Sequence, residues 1–148
     1  MKRISLVALL GILTIACQNA SVDKKDDVLK YKETVIINDV PQSSLTFFDV
    51  SDSRCPEGVQ CVWAGNATVD LALEGVGTEG KISKHVNMCL GDCRMLYENA
   101  SYRQVDSLDQ EFAGQNYRFI LEAVNPKAKV DSTRKKEDYS IVLRIEKQ

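Results

Sequence analysis

The segment DSRCPEGVQCVWAG, residues 52–65, holds two cysteines, a proline, two glycines and the only tryptophan of the chain. Thiols at close spacing suit three chemistries: a thiolate metal centre, a redox dithiol, or a disulfide that shapes a loop. Cys55 and Cys61 are separated by five residues, and a second pair, Cys89 and Cys93, by three. Structural zinc sites favour close pairs of the C-x2-C type, and a reactive dithiol favours C-x2-C at a helix N-terminus; neither spacing has that form. Two disulfides are the favoured reading. Of the three connectivities the local one, Cys55 with Cys61 and Cys89 with Cys93, is preferred because Pro56, Gly58 and Gly91 supply turns. In the chain-entropy model such a short loop contributes roughly 2 kcal/mol. Trp63 is expected to pack in the core against the first bridge. Pro56, Glu57, Gly58, Val59 and Gln60, with Trp63 beside them, form a candidate binding loop.

Other catalytic sets are thin. His85 is the only histidine, which removes most general-base, triad and zinc-ligand arrangements, and no G-x-S-x-G turn occurs to carry a serine nucleophile. It is expected on the surface of a strand. The carboxylate pairs Asp49 with Asp52 and Asp106 with Asp109 lack the calcium-loop pattern, and a glycosidase needs its two at a set separation in a cleft. No catalytic residue, metal or cofactor is assigned.

The elements that would position these loops are strands. ATVDLALE, residues 67–74, alternates Ala67, Val69, Leu71 and Leu73 with Thr68, Asp70, Ala72 and Glu74, the pattern of a half-buried antiparallel strand. Similar runs occupy 29–37, 44–50, 81–88, 116–124 and 139–146. Their spacing predicts an all-β domain: an antiparallel β-sandwich of immunoglobulin-like type, or a small barrel, of about seven strands. GVGTEG, residues 75–80, reads as a hairpin loop and 125–138 as a polar connection; 95–100 and 107–113 read as short helical turns.

The N-terminus gives an address. Lys2 and Arg3, an apolar run from Ile4 to Ile15, then Ala16 form a secretory signal, too short for a membrane span. TIAC resembles the lipobox of bacterial lipoproteins, with Thr14 where leucine is usual, and the resemblance implies that Cys17 is lipidated and becomes the mature N-terminus. Lipidating Cys17 also resolves an odd cysteine count, because five leaves four to pair in an oxidising compartment. Residues 17–28 then form a lipidated, flexible tether, and 29–148 a single domain. Lys25, Asp26 and Asp27 resemble a charged sorting signal of lipoproteins, which implies the outer membrane, on its periplasmic face or at the cell surface. Loss of Lys2 and Arg3 moves the formal charge from −2 to about −4, and no basic patch points to nucleic acid.

Ser53, Arg54, Cys55, Pro56, Val59, Cys61, Trp63 and Gly65 together resemble a segment of small, uncharacterised bacterial lipoproteins, S-R-C-P-x-x-V-x-C-x-W-x-G. YRFILEAVNP, residues 117–126, with its charged loop and terminal strand, is similar to the same group. The resemblance implies an all-β lipoprotein domain and carries no activity to transfer. The leading functional expectation is therefore a non-enzymatic, membrane-anchored binding or structural domain of the cell envelope, meeting a protein or glycan partner. One alternative is an inhibitor of an envelope hydrolase or protease that inserts the 56–60 loop; another is a carboxylate- or metal-dependent enzyme.

Overall fold

A computed structural model describes residues 24–98, 101–129 and 133–148. The signal segment and Cys17 lie outside the described residues. Alternation decides the strands. Ala67, Val69, Leu71 and Leu73 are all buried on one face, as their period of two requires. Nine strands are seen among the described residues: β1 Lys24–Lys30, β2 Thr34–Asn38, β3 Ser43–Asp52, β4 Asn66–Gly77, β5 Gly80–Asp92, β6 Tyr102–Arg103, β7 Asp106–Phe112, β8 Gln115–Asn125 and β9 Ser140–Lys147. They form two antiparallel sheets, β1-β9-β8-β7 and β2-β3-β4-β5-β6. The chain starts in the first sheet, crosses, meanders through the second, and returns to close beside β1.

The core lies between the sheets. Phe47, Leu45 and Leu71 from one meet Tyr117, Phe119, Leu121 and Leu143 from the other, all fully or almost fully buried. Tyr117 and Phe119 stack at 5.9 Å, and Tyr31 meets Phe47 edge-on at 5.8 Å. The expected sandwich architecture is what the chain adopts.

Three local expectations are corrected. Residues 29–37 are not one strand: the chain turns at 31–33, with Lys32 at φ 64°, to pass from β1 in one sheet to β2 in the other. Residues 107–113 are not a helical turn but β7, paired with β8 from Asp106 to Phe112; sheet pairing overrides the helix-forming Leu, Gln and Glu there. Residues 24–28, expected in the flexible tether, instead belong to β1, whose backbone pairs with β9. Around Met95 a single turn does form, with the amides of Leu96 and Tyr97 donating to the Cys93 carbonyl; residues 99 and 100 lie outside the described residues.

Strand direction gives the sandwich two distinct poles. β1 begins at Lys24 opposite Ile145 and ends at Lys30 opposite Ser140. The ends of β3 and β5 and the start of β4 lie at the second of these poles, because Arg54 just past β3 reaches the carbonyls of Val124 and Pro126 at the end of β8. The β2–β3 turn, the β4–β5 hairpin and Ala113–Gly114 lie at the first, where Lys147 donates to Asn38. The twelve residues of β4 run between the poles, a span of roughly 35 Å.

Two glycines fix the far pole. Gly65 (φ +65°) and Gly91 (φ +98°) pack together: a Cβ at Gly65 would stand 1.9 Å from the Ser53 carbonyl oxygen, and one at Gly91 2.6 Å from the Gly65 oxygen. Gly58 also has positive φ, +80°, but open space around it. The expected outcome is that Gly58→Ala costs about 1 kcal/mol, from backbone strain alone, while Gly65→Ala costs at least twice that by adding a backbone clash. Urea unfolding midpoints of the two variants check the ratio.

Candidate functional site

The segment 53–65 extends the β3–β4 hairpin beyond the sheet. The amides of Ser53 and Cys55 donate to the carbonyls of Asn66 and Ala64 at 2.7 and 2.8 Å, so its base is a continuing ladder. Pro56 to Val59 closes a tight turn, with the Val59 amide donating to the Pro56 carbonyl at 3.3 Å. Cys55 and Cys61 are joined, as are Cys89 and Cys93. The four structural cysteines are thus consumed by local bridges. Their settings differ: Cys89 and Cys93 are fully buried, whereas Cys55 is half-buried and Cys61 exposed.

What holds the loop base to the body is Arg54. Its guanidinium grips the Asp52 carboxylate with two bonds of 2.8 Å and donates at 2.9 Å to the carbonyls of Val124 and Pro126, seventy residues away in the opposite sheet. The flat fork of arginine suits this four-way arrangement, which lysine cannot copy. Asp52, only 5 % exposed at its side chain, also accepts from Tyr139 at 3.1 Å and lies 3.9 Å from Arg134. Burial pushes the Asp52 carboxyl up, but the hydrogen bonds and charge of Arg54, with the Tyr139 hydroxyl, outweigh it and hold it below the ordinary range. The Glu57 amide adds a bond of 3.0 Å to the Ala128 carbonyl.

A second buried carboxylate organises the neighbouring loop. Asp106, fully buried, accepts from the Cys89 amide and the Tyr97 hydroxyl, each at 2.9 Å, and from Arg103. Arg103 also stacks on the Tyr97 ring at 4.2 Å. Burial and the bond to Asp106 push the Tyr97 phenol up to about 12. Asp106 thereby joins β7 to β5 beside the Cys89–Cys93 bridge.

The expected core role of Trp63 is overturned: it is 71 % exposed. The Arg54 guanidinium is turned to Asp52 and to the carbonyls of Val124 and Pro126, and the indole stands exposed on the loop. Around it the pole presents Val62 (89 % exposed), Met95 (94 %) and Tyr102 (62 %). A shallow cleft of about 270 Å³, lined by Ala64, Asp92, Arg94, Ser101 and Tyr102, joins the two stapled loops. Of the candidate loop, Glu57, Gly58, Val59 and Gln60 are exposed and Pro56 half-buried. Glu57 pairs with Lys127 at 3.2 Å. Asp52 and Asp106 were weighed in the sequence only as members of carboxylate pairs, Arg54 stood in the S-R-C-P segment, and nothing singled out the exposed Met95 and Tyr102.

Several carboxylates are matched to cations: Asp49 to Lys136 at 2.6 Å and Asp92 to Arg94 at 2.7 Å, and, toward the opposite pole, Asp109 to Arg118 at 2.7 Å. Asp49 and Asp52, and Asp106 and Asp109, therefore answer to different partners rather than to each other. His85 lies exposed on the outer face of β5, 2.9 Å from Asp70 and edge-on to Phe48. Among the described residues no three His, Cys, Asp or Glu side chains converge to hold a metal ion. Compared with known protein families, curated proteins and solved structures, the chain matches none.

Two outcomes are expected. Arg54→Ala leaves Asp52 buried without its cation and costs about 3 kcal/mol at pH 7. Because the Asp52 carboxyl is depressed in the fold, its contribution is present above the ordinary carboxylate pKa of about 3.9 and lost as pH falls through the folded value, so the deficit shrinks in acid. Denaturant unfolding of both proteins between pH 7 and 3 measures it. Mild dithiol treatment of the folded protein exposes the thiols of Cys55 and Cys61 first, while Cys89 and Cys93 stay bridged until unfolding; alkylation and peptide mass mapping read the order.

Proposed function

We propose that the protein is a lipid-anchored lipoprotein of the cell envelope, probed through its outer pole, and that it acts by binding a protein partner rather than by turnover. One observation carries this reading: the stapled loops and the start of β1 lie at opposite poles. A chain held to a membrane ahead of β1 would therefore hold the stapled pole outward, roughly 35 Å from the anchored end. The composition of that pole supports a protein partner, since Trp63, Tyr102, Met95 and Arg94 are the residue types enriched in the cores of protein interfaces, where lysine and acids are depleted. The bridges and the Arg54 clasp would hold the loops in place beforehand, lowering the entropy lost on binding. An outer-membrane location is part of the same proposal and draws on the charged residues after Cys17.

The inhibitor reading uses the same loop but fits it less well, because Pro56 to Val59 forms a tight turn and not the extended segment that lies along a protease cleft.

In cells fed an alkyne-bearing fatty acid, the wild-type protein takes up the label and Cys17→Ala does not. A photo-crosslinking residue at position 63 gives a discrete adduct in intact cells, one at position 78 at the opposite pole does not give that adduct, and Tyr102→Ala weakens the adduct at 63 about tenfold or more. Label uptake by Cys17→Ala, or the same adduct from position 78 alone, overturns the reading.

A further inference from the structure

The pole where β1 begins has an unusual surface for an end of a sandwich. Val40, at the tip of the β2–β3 turn, is 88 % exposed. Beside it lies a groove of about 630 Å³ whose walls are Pro41, Val76, Ile82 and Ala113, with Thr78 and Glu79 as its polar side chains. Asp39, Glu79 and Lys81 are exposed near the groove, so the charges there are few and mixed in sign while its lining is mainly apolar.

Chain length says what can cover it. Six residues, 18–23, separate Cys17 from Lys24, so seven Cα–Cα steps set a reach of at most about 25 Å even when fully extended. If Cys17 carries the lipid, this pole cannot leave the bilayer surface by more than that distance. A tether so short also sets a millimolar effective concentration of surface for the pole, at which a contact too weak to hold alone becomes occupied.

We infer that the β1 pole is a lipid-contacting face: Val40 and the Pro41–Val76–Ile82 groove rest in the headgroup and upper acyl region, standing the domain upright with Trp63 outermost. This rests on the lipid-anchor reading and adds an orientation to it. Because the contact is mainly apolar and has no cluster of lysine or arginine among the described residues, it does not require anionic lipid.

The single native tryptophan makes the test direct. The full-length lipidated protein is reconstituted in phosphatidylcholine vesicles with and without brominated acyl chains, as wild type and as Val40→Trp/Trp63→Phe; intact mass confirms acylation at Cys17. The expected result is that emission from the indole introduced at position 40 is roughly halved by brominated lipid, as for a side chain lying in the interface, while Trp63 of the wild type is unaffected. Adding phosphatidylglycerol leaves both results unchanged. An unacylated Cys17 overturns the anchor reading itself. With acylation present, an unquenched position 40, or quenching of Trp63 instead, overturns the orientation while the anchor stands. A shift at position 40 that depends on protein density and not on bromine assigns the face to a second copy and overturns it too.

Discussion

One guanidinium joins the two sheets at the stapled pole. Arg54 sits where β3 leaves its sheet, yet three of its partners are fixed elsewhere: the Asp52 carboxylate on its own sheet, and the carbonyls of Val124 and Pro126 at the end of β8 in the other. Val124 lies at the last residues of the β8–β9 ladder and Pro126 just past its final pair, Asn125 with Ser140, so Arg54 brings donors to the end of that ladder. A buried acceptor left unmade costs on the order of 1–3 kcal/mol, more when a charge is involved. The clasp therefore satisfies the end of one sheet with the beginning of a loop from the other.

The second carboxylate repeats the logic with different parts. Asp106 takes a backbone amide from β5, a phenol from the turn after Cys93, and a cation from β6. Each disulfide thus has a buried acid beside it that fixes the loop to the body, and the bridges themselves close only short circuits. Gly65 and Gly91 permit the two loop bases to touch, since neither position has room for a Cβ. The result is a pair of neighbouring loops with rigid roots and exposed apolar tips.

Much of this was legible in the sequence. The period of two in 67–74 and 139–146 marks strands because one face of each is buried, and short cysteine spacings with Gly and Pro between them mark local bridges. The segments SRCP and AVNP, read separately as parts of one resemblance, turn out to touch through Arg54. What could not be read was the destination of that arginine, since a partner seventy residues away leaves no trace in local spacing. Trp63 was misread because nearness to a cysteine in the sequence does not say which side of the loop the indole takes, and here it faces outward. β7 was hidden because Ser107 to Phe112 carries helix-forming residues whose fate is decided by pairing with β8. The acidic and basic residues of 24–28 gave no sign of the strand that the edge of β9 imposes on their backbone.

The clasp, and not the staple, holds the base of the 53–65 loop to the sandwich. Native-state hydrogen exchange on Cys55→Ser/Cys61→Ser tests it most directly. With the bridge gone and Arg54 intact, the amides of Ser53 and position 55, which donate to Asn66 and Ala64, are predicted to stay as protected as in the wild type, while the 57–62 tip exchanges faster. Loss of protection at those two amides, with the rest of β3 and β4 unchanged, would show that the disulfide holds the loop and would contradict the account.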